Sequence, residues 1–184
     1  MIVLGGILGL ALLLAAVLIA IYNSLVRRRN LVREGWSGID VQLKRRANLV
    51  PNLIETVKGY MRHESDLLQR VTALRTESLG ARGVAEKARA EGALSRSLAN
   101  VLAVAEGYPQ LKANENFLDL QAQLTAVEND IQLARRYYNG TVRDLNIQVE
   151  SFPGNLVAPF FGFRQAEFFE IEDPGERNVP SVQF

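Results

Sequence analysis

Residues 2–21 form an unbroken apolar run with no charged residue and no proline, closed by Tyr22 and followed at once by Arg27, Arg28 and Arg29. A helix rises ~1.5 Å per residue, so about 20 such residues cover the ~30 Å hydrocarbon layer while every backbone amide is bonded inside the segment. The run is therefore read as a transmembrane helix. A cleaved secretory signal would need a basic stretch before the core, a core of only about 7–15 residues and a small-residue cleavage site; none of these fits. The absence of cysteine excludes a lipoprotein anchor. Arginines beside a span are retained on the cytoplasmic side. Arg27, Arg28, Arg29 and Arg33 all follow this one, so the expected orientation is N-terminus outside and body cytoplasmic.

Within the span, Gly5, Gly9, Ala16 and Ala20 fall within one ~60° arc at 100° per residue, a smooth face where a second span could approach. Such patterns are common in apolar helices, and the face is kept as a span-packing candidate only. Beyond the span, the 184-residue chain leaves room for one domain with a real core. Charge is uneven: residues 22–62 hold nine Lys or Arg against three acids, residues 63–184 twelve against seventeen. Anionic membrane lipid accounts for a basic stretch next to a span. No basic-aromatic interleaving or zinc-knuckle spacing points to nucleic acid.

The expected fold class is all-α: the transmembrane helix continues into an antiparallel up-and-down bundle of about four long helices, followed by an irregular Phe/Pro/Gly-rich C-terminal tail. The boundaries are 1–22 for the span, 23–151 for the bundle and 152–184 for the tail. Leu25, Val32, Trp36, Ile39 and Leu43 keep one apolar stripe, with residues 44–46 solvated. Gly35 and Gly38 weaken this helix and mark where it bends or where a neighbour comes close. A break is expected at residues 47–51, where Pro51 would open a second helix running to about Ser78. The turn at 79–83 leads to an alanine-rich third helix ending near Gly107 and Pro109. The strongest periodicity is Phe117, Leu120, Leu124, Val127, Ile131, Ala134, Tyr138, Thr141, Leu145 and Val149, a seam alternating steps of three and four. A single such stripe cannot bury itself, and four helices joined by short turns make a bundle. From Phe152 the repeated Pro, Gly and Phe predict no helix.

Several blocks, taken in order and spacing, carry a family resemblance: Tyr22-Asn23 with Arg29-Asn30; Trp36-Ser37 with residues 39–46; residues 49–53 with 55–60; Glu106 with Tyr108-Pro109 and residues 111–114; Arg135 with Tyr137-Tyr138-Asn139; and Phe152-Pro153. Together they resemble the LemA family of bacterial membrane proteins, from the span to Pro153. The resemblance implies a short external N-terminus, one span and a cytoplasmic helical bundle, and it implies no reaction. Residues 78–93 depart most from the family pattern.

The residues offer no catalytic, cofactor or metal site. His63-Glu64 lacks the second histidine of a zinc protease, since position 67 is leucine. Glu106, Glu115 and Glu128 lack the Glu-x-x-His repeats of a di-metal bundle, and there is neither a nucleophile elbow nor a phosphate loop. Asn139 and Asn146, seven apart beside the seam, are read as fixing register or satisfying turn amides ahead of binding a ligand. Trp36, Phe160, Phe161 and Phe163 are the candidate contact residues. The tail phenylalanines have three possible partners: membrane, a neighbouring subunit, or the bundle's own open end. The expected function is a membrane-anchored scaffold or interaction protein, self-assembling as a homo-oligomer, with membrane lipid and an unidentified protein as partners. Its alternatives are an adaptor for one specific protein and, less favoured, a small-molecule sensor or enzyme with a pocket in the bundle; buried ionisable groups in an apolar cavity would favour the latter.

Overall fold

A computed structural model describes residues 2–170; the rest of the expected tail, with Pro174, Gly175, Pro180 and Phe184, lies outside the described residues. Its first element, α1 (Ile2–Lys58), is one helix in which the apolar run and the first amphipathic stripe are continuous. The other long helices are α2 (Ser65–Gly80), α3 (Val84–Ala105) and α5 (Glu115–Glu150); α4 (Pro109–Lys112) and α6 (Gly154–Phe160) are short. Among the described residues there is no strand, as an all-α bundle requires.

The expected break at residues 47–51 does not occur. Proline inside a helix removes one N–H and so orphans the carbonyl four residues earlier. For Pro51 that carbonyl belongs to Ala47, and Arg75 of α2 donates its Nε–H to it at 2.7 Å. The helix therefore passes through Pro51 and ends at Lys58. Its turn is held by Met61, which donates its amide to Val57 O at 2.9 Å and buries its side chain. The second turn needs Gly83, whose φ of +77° a side chain would strain. The start of α5 is capped by Asn114, whose Oδ1 accepts the Phe117 amide at 3.1 Å.

The chain divides into two compact units. The first comprises residues 2–38 and Arg135–Glu167. In it α1 and α5 run antiparallel: Trp36 meets Tyr138, Arg28 pairs with Asp144 at 3.6 Å, and Ser24 donates to Gln148 at 3.0 Å. A Cβ on Gly35 would lie 3.1 Å from Tyr138 Cα, so at this glycine α1 and α5 approach closely. Gly38 has no such neighbour. Leu25, Leu145, Val157, Ala158 and Phe163 make the core. The absence of helix expected after Phe152 is corrected by α6, which folds back tightly enough that a Cβ on Gly154 would meet the Gln148 carbonyl oxygen. The chain then returns along α5, where Asn146 accepts the Ala166 amide at 2.8 Å and donates to its carbonyl at 3.0 Å. That is the amide-satisfying role read for Asn146.

The second unit contains Ile39–Ala134 and, among the described residues, 168–170. Here the C-terminal part of α1, with α2, α3 and the N-terminal part of α5, encloses a core of Val50, Leu53, Val57, Met61, Leu68, Val71, Leu94, Leu98, Val101, Ala105, Leu111, Phe117 and Leu124. Short turns join successive helices, so neighbours alternate in direction. The seam read along α5 is buried at eight of its ten positions and half-buried at Ala134 and Val149.

Candidate functional site

The second unit holds charge inside its core. Arg46 and Glu91 are each 1% exposed, and Ser78 is equally buried. The reading of residues 44–46 as solvated is correct for Lys44 and Arg45 and wrong for Arg46. Arg46 occupies a seam position: Ile39, Leu43, Arg46, Val50, Leu53 and Val57 alternate steps of four and three and are all buried. Glu91 does the same on α3 ahead of Leu94, Leu98, Val101 and Ala105. Helical periodicity thus points a guanidinium and a carboxylate at one another between two helices.

Burying ions is tolerable only when they are paired and hydrogen-bonded. Arg46 Nη2 donates to the Glu91 carboxylate and, at 3.3 Å, to the Glu91 carbonyl. Its Nη1 donates to Glu128 at 2.6 Å and to Ser95 Oγ. Ser78 Oγ donates to the other Glu91 oxygen, and Gln132 Nε2 to the remaining Glu128 oxygen at 3.1 Å. Nearer the surface, Arg45 pairs with Asp130 at 3.4 Å. The arrangement ties all four long helices together around one cation. It sets two carboxylates against one arginine beside a groove of about 410 Å³, whose walls include Leu98, Leu102 and Leu124.

The first unit is organised around rings. Tyr22 closes the apolar run and stands edge-on to Phe161 and Phe163, at 4.9 and 5.8 Å between centroids. The Arg29 guanidinium lies 4.7 Å above the Phe163 ring, a cation–π arrangement. Phe163 is buried, whereas Phe160 is 84% and Phe161 49% exposed. Trp36 is half-buried, its ring 5.6 Å from that of Tyr138. Tyr138 donates its hydroxyl to Glu167 O at 2.8 Å, and its pKa is raised above 10.0, first by burial and then by the Glu167 charge.

Of the orientation arginines, Arg27 and Arg33 are exposed, while Arg28 and Arg29 are half-buried against Asp144 and Phe163. The apolar part of α1 is long enough to cross a membrane and none of its most apolar stretch is buried. Gly5 and Gly9 have open space where a Cβ would stand, and Ala16 and Ala20 are exposed. His63 is exposed beside a crevice shared with Tyr108 and Pro109. No group of three or more potential metal ligands exists among the described residues. Sequence reasoning missed Arg46, Glu91 and Arg75; the signal available for Arg46 and Glu91 was their placement on apolar seams.

Three relatives align with most of the chain. The magnetosome proteins MamQ 2 and MamQ 1 of Paramagnetospirillum magneticum are each 23% identical over 194 residues, covering 91% of this chain and 71% of their own. Protein LemA of Metamycoplasma hominis is 24% identical over 161 residues, covering 82% and 69%. Residues 35–184 match the LemA family, a match that takes in the seam of α5, and the chain belongs to the LemA family.

Proposed function

We propose that this protein is a membrane-anchored helical-bundle scaffold that self-assembles at the bacterial inner membrane and performs no bond chemistry. The observation that carries it is the continuity of α1: one helix includes both an apolar stretch with no buried residue and the seam closed by the bundle. Arg27, Arg28, Arg29 and Arg33 follow that stretch, which favours a cytoplasmic body and contact with anionic lipid. The open face at Gly5, Gly9, Ala16 and Ala20 is where two spans would pack. Mass measurement of the full-length protein in detergent tests this directly. Assemblies larger than a monomer that persist in high salt are expected. A strictly monomeric profile removes the self-assembling scaffold, and a one-to-one complex with another protein replaces it with an adaptor.

One observation favours a second reading. Arg46 and Glu128 line a groove with largely apolar walls, the setting in which ionisable groups bind small molecules. This small-molecule sensor ranks below the scaffold because both terminal nitrogens of Arg46 are already engaged by carboxylates and Ser95. Ligand-dependent thermal stabilisation that disappears in a Glu128→Gln variant would raise it.

A further inference from the structure

The segment after α5 divides its apolar side chains between two destinations. Val157, Ala158 and Phe163 are buried in the core of their own unit. Phe152, Leu156, Phe160 and Phe161 stay 79%, 68%, 84% and 49% exposed. Leu156 and Phe160 stand one turn apart on α6, so they share a face of that helix. Burial in their own unit accounts for the first group and leaves most of the second group's surface uncovered.

The position of this ridge selects what covers it. Because α5 runs antiparallel to α1, Gln148 lies opposite Ser24, and the next residues of α5 arrive level with the end of the apolar run. The ridge begins there. Phe161 touches Tyr22, the residue at which the run ends, and Phe160 packs edge-on to Phe161 at 5.1 Å. The exposed apolar surface of residues 3–21 and that of α6 are thereby continuous through Tyr22. Basic groups lie close by in the chain: Arg27 and Arg164 are exposed, and Arg29 stands over Phe163. An apolar ridge at the depth of a span's end that carries aromatic rings, with arginines close by in the chain, has the composition of an interfacial membrane segment.

We propose that α6 is a second membrane foothold, with Phe152, Leu156, Phe160 and Phe161 inserted into the acyl–headgroup boundary of the leaflet in which the span ends. The lipid surface is the occupant. Self-assembly is not needed for it, but the inference rests on the membrane-spanning part of the reading above. The foothold holds the bundle at two points instead of one, which restricts its swivelling about the span.

The chain has no cysteine, so single cysteines at Leu156, Phe160, Arg33 and Leu10 can each carry an environment-sensitive fluorophore in the full-length protein. Each labelled protein is placed at one copy per nanodisc of phosphatidylethanolamine and phosphatidylglycerol. Lipids bearing a nitroxide near the headgroup should quench the labels at Leu156 and Phe160 several-fold more than the label at Arg33, eleven residues beyond Tyr22 and ~16 Å further along α1. Aqueous iodide should show the reverse order. Equal behaviour at Leu156, Phe160 and Arg33 overturns the foothold. Shielding from iodide that appears only when several copies share a disc also overturns it, in favour of a second copy as the occupant. The label at Leu10 separates the two readings: quenching by deep nitroxides there with none at α6 removes the foothold alone, whereas no quenching at Leu10 removes the span itself.

Discussion

In the unit containing residues 39–134 charge is buried within the core, and in the unit containing residues 2–38 and 135–167 the core is apolar and aromatic, with its hydrogen bonds given mainly to main chain. Both use segments of the same two helices, α1 and α5. In the second unit, Arg46 of α1 reaches α3 and α5 through side-chain acceptors on Glu91, Ser95 and Glu128. In the first unit, Asn146 and Tyr138 clasp the backbone of residues 166 and 167. The difference teaches where each unit gets its specificity. A four-helix core with uniform apolar seams tolerates slipped registers, and a buried ion that finds partners in one register only removes the alternatives. A returning strand of chain has no seam to slip along, and ties to its amides are sufficient.

The largest effect that would break this comparison is loss of the buried cation. Arg46→Met leaves Glu91 charged and unpaired inside the core, and about 3–5 kcal/mol of stability should disappear. Adding Glu91→Leu should restore most of it, since an ion pair replaced by apolar groups is often neutral or stabilising. Urea titrations in detergent, followed by far-UV circular dichroism, check both. The sole tryptophan, Trp36, lies in the other unit, so its fluorescence gives a separate transition. Coincident transitions in Arg46→Met would mean that the two units unfold together, and displaced ones that they unfold apart.

Next in size is the proline splint. Arg75→Ala should cost about 1–3 kcal/mol by leaving the Ala47 carbonyl unsatisfied. With Pro51→Ala, which returns an N–H to that carbonyl, the cost of removing Arg75 should shrink towards zero; a double-mutant cycle with no coupling would refute the account of why α1 does not break. Asn146→Ala removes two hydrogen bonds to Ala166 and should cost about 1–2 kcal/mol. It should loosen the returning segment, seen as faster amide exchange at 163–167, without altering the second unit.

The smallest effect is the Tyr138 hydroxyl. Tyr138→Phe should cost about 1 kcal/mol at neutral pH through its bond to Glu167. Because the folded state raises this phenol above 10.0, its neutral form is the favoured one. The contribution is whole below pH ~10 and falls away as pH rises through the folded value. The urea midpoint of the parent protein should therefore drop more between pH 9 and pH 11 than that of Tyr138→Phe.

Much of the fold could be read from periodicity, because apolar spacing is what a helix buries. The seam from Phe117 to Val149 is buried at eight of its ten positions, and Gly35, where a bend or a close neighbour is expected, has the close neighbour. Two things could not be read in that way. Pro51 stays inside a helix because an arginine 24 residues later replaces its missing donor, and no local pattern announces so distant a bond. Arg46 hides among Lys44 and Arg45, where three cations in a row resemble a solvated face. Only the stripe that passes through the third distinguishes it, and its partner Glu91, with the Ser78 that bonds Glu91, lies in the stretch least like the family pattern. For the tail, composition indicated that apolar surface must be covered, but the division between inward and outward residues is set by a fold-back on Gly154 that composition does not encode.

The order of synthesis gives the buried arginine one more consequence. A ribosome releases the apolar run first and Arg46 soon after, while Glu91 and Glu128 are still unmade. Until they emerge, the seam of α1 carries a cation that no helix can cover, and premature closure over it is penalised. The bundle is thus prevented from locking until most of its chain has left the ribosome, by which time the N-terminal segment has already met its own solvent.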